Sequence, residues 1–68
     1  MIKFNLKVQL AMNDMNQKQL CELADIRPTT LSKINRGTIQ LLPIDVLDKI
    51  CRELHCGVGD LIEYIEEE

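Results

Sequence analysis

The chain has no tryptophan, one phenylalanine and one tyrosine in 68 residues. Its core must therefore be aliphatic, without the large rings that add buried area and directional stacking. Two prolines and three glycines are too few for a linker or a low-complexity segment. No apolar run approaches the roughly 20 residues that span a bilayer. The opening MIKFNLKV has neither the apolar region nor the cleavage site of a signal peptide. Three cysteines make no paired framework and fit a reducing compartment. Cys51, His55 and Cys56 lie close along the chain, but a structural zinc site needs four ligands and no CxxC pair exists. Neither a metal nor any other cofactor is expected. With a single histidine in so short a chain, little is available for acid–base or nucleophilic chemistry, and the protein is not expected to be an enzyme. These absences lead to the expectation of a soluble cytoplasmic protein with no membrane partner.

The length predicts one domain, residues 1–68. A chain of this size buries only about 60% of its unfolded surface, so its stability is marginal. Net charge is −3, which at first argues against a polyanionic partner. The distribution argues the other way. Residues 1–42 carry six cations (Lys3, Lys7, Lys18, Arg27, Lys33 and Arg36) and three anions (Asp14, Glu22 and Asp25), a balance of +3. Residues 43–68 carry two cations (Lys49 and Arg52) and eight carboxylates, a balance of −6. One half of the molecule suits a polyanion while the other turns away from it.

The stretch Gln17 to Arg36 reads as two short helices with a tight turn between them. Leu20, Cys21, Leu23 and Ala24 form one apolar face of the first. Asn16, with Gln19 three residues on, makes a capping box at its start. Asp25 breaks the pattern, Ile26 follows as a lone apolar plug, and Pro28 suits the first turn of the second helix. There Leu31 and Ile34 point inward. Thr29, Thr30, Ser32, Lys33 and Arg36 are left on other faces, and Gly37 fits a left-handed helix end. Upstream, Ile2, Phe4, Leu6, Val8 and Leu10 alternate like a strand, yet Leu6 and Leu10 also have helical spacing behind a capping Asn5. Periodicity leaves both readings open. Downstream, Thr38–Leu42 is expected to be a loop. Pro43 opens a helix with Asp45 and Asp48 near its positive end and Leu47, Ile50, Cys51 and Leu54 inward. Gly57 or Gly59 should break the chain. A short helix, or helix then strand, follows over Asp60–Ile65 with Leu61 inward. Glu66–Glu68 is expected to be a frayed charged tail.

A supporting helix, a short turn and a helix with a polar face make a helix-turn-helix. Gln17, Leu20, Cys21, Ala24, Ile26, Leu31 and Ile34 give this stretch a resemblance to the DNA-binding motif of Cro and phage-repressor regulators, the xenobiotic-response-element family. The chain departs from the family at Cys21, where Ala is usual, at Asp25, where Gly is usual, and at Arg27, often a Ser or Thr cap. Asp tolerates the left-handed conformation that position takes.

The resemblance implies an all-α fold of four or five short helices, a lambda-repressor-like domain. It also decides the start of the chain, with Met1–Phe4 extended and Leu6–Met12 as the first helix. It implies a small, bacterial or phage-encoded transcriptional regulator, found on the nucleoid when bound to its partner, double-stranded DNA. Thr29, Thr30 and Lys33 would read bases in the major groove with help from Ser32. Gln17, Lys18, Arg27 and Arg36 would hold phosphates. A homodimer is expected, joined through Leu41, Val58, Ile62, Tyr64 and Ile65. The alternative is a protein-interaction module, antitoxin-like or an anti-repressor partner, that keeps the fold without reading DNA.

Overall fold

The fold comes from a computed structural model that describes residues 1–66. Its order is β1 (Ile2–Phe4), α1 (Leu6–Met12), α2 (Gln17–Ala24), α3 (Pro28–Arg36), α4 (Ile44–Leu54), α5 (Val58–Leu61) and β2 (Ile62–Tyr64). The five helices among the described residues fall within the expected four or five. To them is added a two-stranded antiparallel ribbon that pairs Ile2 with Tyr64, Lys3 with Glu63 and Phe4 with Ile62. The Glu67–Glu68 part of the expected tail lies outside the described residues.

The core is aliphatic throughout. Leu6 and Leu10 of α1, Leu20 and Ala24 of α2, Leu31 and Ile34 of α3, Ile50 and Leu54 of α4, Leu61 of α5, and Ile26 in the turn between α2 and α3 are all buried. Phe4 and Ile62, paired across the ribbon, pack on this core from one end. α2 rests on both α3 and α4. No helix among the described residues is long and apolar enough to cross a membrane.

Leu23 departs from expectation and is 59% exposed. Leu20 and Ala24 mark the centre of the inward face, with Cys21 and Leu23 about 80° to either side. The Cys21 flank is packed against the core, whereas the Leu23 flank is left largely open to solvent. In the α3–α4 loop, Ile39 and Leu42 pack on the core, but Leu41 is 87% exposed.

Four helices end in the same way. Asp14, Asp25, Gly37 and His55 each take a left-handed conformation, with φ of 51°, 55°, 73° and 52°. After each of them an N–H reaches back to a carbonyl five residues earlier. The bonds run from Met15 to Leu10 (2.9 Å), Ile26 to Cys21 (3.0 Å), Thr38 to Lys33 (2.9 Å) and Cys56 to Cys51 (3.1 Å). This is the Schellman stop, which also brings together the side chains of the two bonded residues. At α4 that pair is Cys51 and Cys56, half-buried apolar fillers, and burial beside Cys51 pushes the Cys56 thiol up.

The chain break expected at Gly57 or Gly59 is therefore made by His55. Gly57 instead precedes α5 in an extended conformation, its N–H donating to the Asp60 carboxylate at 3.0 Å. An L-residue in the left-handed region is strained by its Cβ. His55→Gly is expected to raise stability by about 1 kcal/mol, an upward shift of roughly 4–8 °C in the thermal midpoint. His55→Val should lower the midpoint. Thermal denaturation followed by circular dichroism checks both.

Candidate nucleic-acid interface

α2 starts on a capping box: the Asn16 side chain accepts from the Gln19 N–H at 2.8 Å, and the Gln19 side chain accepts from the Asn16 N–H at 2.9 Å. An α-helix leaves its first N–H groups without intrahelical acceptors. The box satisfies that of Gln19, so those of Gln17 and Lys18 remain as donors. α3 starts differently. Arg27 is its N-cap with an extended backbone and no side-chain capping bond, and Pro28 follows in the first turn. The first N–H groups offered there are those of Thr29 and Thr30. The two helix starts adjoin: Gln17, Lys18, Cys21, Glu22 and Pro28 line one shallow concavity. Cys21 is half-buried there, and burial, reinforced by the Glu22 charge, pushes its thiol up. It serves as a small apolar spacer between the helices.

α3 turns Leu31 and Ile34 fully into the core. Thr29 and Lys33 are four apart and Thr30 and Lys33 three apart, which puts the three on one side of the helix. Thr29 and Lys33 are exposed and Thr30 is half-buried. Thr30 and Lys33 form one wall of an open concavity of about 380 Å³, closed on the other side by Thr38, Ile39, Gln40, Leu41 and Pro43. Thr29 lies outside it, on the first turn. Ser32 is half-buried and its Oγ accepts from Arg36 Nη2 at 3.0 Å, so Ser32 is engaged in holding the arginine along the helix. Lys18, Arg27 and Arg36 are exposed and Gln17 is half-buried.

Among the described residues the ion pair is Arg52–Asp48 at 2.6 Å, within α4. Within the described residues the cations of the two-helix unit thus have no ion-pair partner and can meet an external anion. Thr38 and Gln40, taken from the sequence only as loop residues, stand beside Thr30 and Lys33. The sequence signal was Gly37, whose left-handed turn brings the following chain back along α3. The arrangement offers two helix N-termini suited to phosphates and, on α3, a cation and hydroxyls of the kind that bond base edges.

A family model described as the Cro/C1-type HTH DNA-binding domain matches residues 5–67. The uncharacterized HTH-type transcriptional regulator YozG of Bacillus subtilis (strain 168) is 33% identical over 67 residues, covering 98% of this chain and 80% of that protein. The crystal structure of the transcriptional regulator VanUg, Form II, aligns with a TM-score of 0.76 at 30% identity, over 97% of this chain and 87% of that one. These matches run through the same two-helix unit that the geometry singles out, and the chain belongs to the Cro/C1-type helix-turn-helix DNA-binding domain family.

Proposed function

We propose that the protein is a sequence-specific double-stranded DNA-binding regulator, 1–68 forming one domain, and that it represses by occupying promoter DNA in the cytoplasm. The observation that carries this reading is the adjoining pair of helix starts beside an exposed α3 side on which, among the described residues, no cation has a carboxylate partner. Thr29, Thr30 and Lys33 read base edges, and Ser32 contributes by anchoring Arg36. Gln17 and Lys18 present backbone donors to one phosphate, while Arg27 and Arg36 supply charge to others.

The working form is a homodimer. One recognition helix spans only a few base pairs, and a two-fold pair sets two of them about 34 Å apart, one turn of DNA. Leu41, Val58, Tyr64 and Ile65 remain candidate contacts, each exposed. Ile62, the other residue of that set, is half-buried against the core. Sedimentation at increasing protein concentration should give a dimer, and a persistent monomer that binds half-sites without cooperativity would contradict it.

Gel shifts against genomic and random duplexes test the central reading. With four to six phosphate contacts per monomer, log K should fall against log salt with a slope of about −4 to −5 per bound monomer. A slope near zero would remove DNA binding and leave a protein-interaction role.

Lys33 and Arg36 should separate reading from holding. Lys33→Ala is expected to cost about 1–3 kcal/mol on the best site and to relax preference at one or two base positions. Arg36→Ala is expected to weaken all sequences alike and to reduce the salt slope by about one. Titrations of both variants on a specific and a scrambled duplex check this. Equal loss on the two duplexes for Lys33→Ala would make Lys33 a holder and leave base reading to the threonines.

A further inference from the structure

The tip of the β-ribbon lies against the C-terminal end of α3. Ile2, Lys3 and Phe4 on one side and Asn35, Arg36 and Gly37 on the other line an open groove of about 240 Å³. Lys3 and Arg36 are far apart in the sequence, yet the ribbon brings both to this groove. Both are exposed, and neither has a carboxylate ion-pair partner among the described residues.

Lys3 is not on a loose arm. Its strand is held in register against β2, and Phe4 packs on the core. Just beyond, the Asn5 N–H donates to the Leu61 carbonyl at 2.7 Å, and Asn5 Nδ2 donates to the Glu63 carboxylate at 3.1 Å. The latter bond engages the one carboxylate that stands opposite Lys3 in the ribbon. Arg36 is steadied by Ser32, and a guanidinium carries five N–H donors, so most of its fork stays available.

Among the described residues the local charge balance is positive. The C-terminal end of a helix contributes about half a negative charge, and here the Lys33 and Ile34 carbonyls already accept from the Thr38 and Gly37 N–H groups. Glu63 and Glu66, the latter just past the Ile65–Met1 bonds, add two negative charges, and the Met1 ammonium that donates to the Ile65 carbonyl offsets one of them. Lys3, Arg36 and Lys33 in the last turn of α3 outweigh the negative charge that remains. Fixed cations beside the end of a recognition helix match a phosphodiester backbone.

We propose that the ribbon is part of the DNA-holding surface, with Lys3 and Arg36 bracketing a backbone phosphate at the C-terminal end of α3. The inference rests on the DNA-binding reading above. The helix start at Gln17 and Lys18 holds a phosphate near the beginning of α3, and the ribbon holds one near its end. Two such fixed points set the tilt of α3 in the groove, which one alone does not.

The test is the salt dependence of binding by the full chain on a specific and a scrambled duplex. Lys3→Thr removes the charge and keeps a good strand former. It should weaken both duplexes by the same factor and reduce the slope by about one, and Lys3→Thr with Arg36→Ala should reduce it by about two. Lys3→Arg keeps the charge and should restore the wild-type slope, which separates lost charge from a disturbed ribbon. If Lys3→Thr binds both duplexes as wild type does while the wild-type slope stays steep, the ribbon plays no part and the proposal fails. If Lys3→Arg behaves like Lys3→Thr, the effect is not charge and the proposal fails as well. A wild-type slope near zero is a different result, one that removes the DNA-binding reading itself.

Discussion

Helices this short are governed by their ends. α1, α2 and α3 have 7, 8 and 9 residues, below the roughly 12–15 at which an isolated helix becomes even marginally stable in water. In each of them the terminal groups without intrahelical partners rival the internal bonds in number. The left-handed stop is what lets them coexist. It satisfies carbonyls at the helix end, turns the chain sharply, and folds an apolar residue back onto the helix it has left. Met15 and Ile26 are carried to the core by this device, Ile26 among its buried residues. Only at α3 is the stop a glycine; Asp14, Asp25 and His55 accept strain in its place.

The same device positions the interface. The turn at Asp25 separates α2 from α3 by three residues, and Ile26 is driven inward as it passes. That fixes the angle between the helices and brings their starts together around Cys21 and Pro28. The turn at Gly37 then returns the chain along α3, so that Thr38 and Gln40 flank Lys33. Asn13 ties the scaffold behind: its side chain donates to the Gln9 carbonyl at 2.8 Å and the Leu54 carbonyl at 3.2 Å, joining the ends of α1 and α4. An aliphatic core with no ring larger than Phe4 leaves little margin for error. A buried leucine deleted to alanine costs about 2–5 kcal/mol, a large share of the 5–15 kcal/mol typical of a whole domain.

Charge is divided along the chain in a way that suits one exposed face. Among the described residues the cations of the helix-turn-helix unit form no ion pair, while the ion pair of α4, Arg52 with Asp48, lies in the acidic half. A dipolar distribution of this kind orients a protein as it approaches a polyanion, even when its net charge is negative.

Much of this could be read directly from the residues. Helix spacing at Leu20, Ala24, Leu31 and Ile34, the Asn16–Gln19 capping box, Pro28 and Gly37 are local signals, each decided within one or two turns of chain, and each appears in the structure where it was expected. Two features were not local. His55 ends α4 although two glycines follow close behind, because the stop falls where Cys56 can fold back on Cys51 and Leu54 still reaches the core. The ribbon pairs Lys3 with Glu63 and sets Lys3 beside Arg36. No periodicity joins residues so far apart; they meet because Phe4 and Ile62 cap the same end of one core. Backbone hydrogen bonding over a few residues was enough to define the recognition unit, whereas the company that unit keeps was decided by packing across the whole chain.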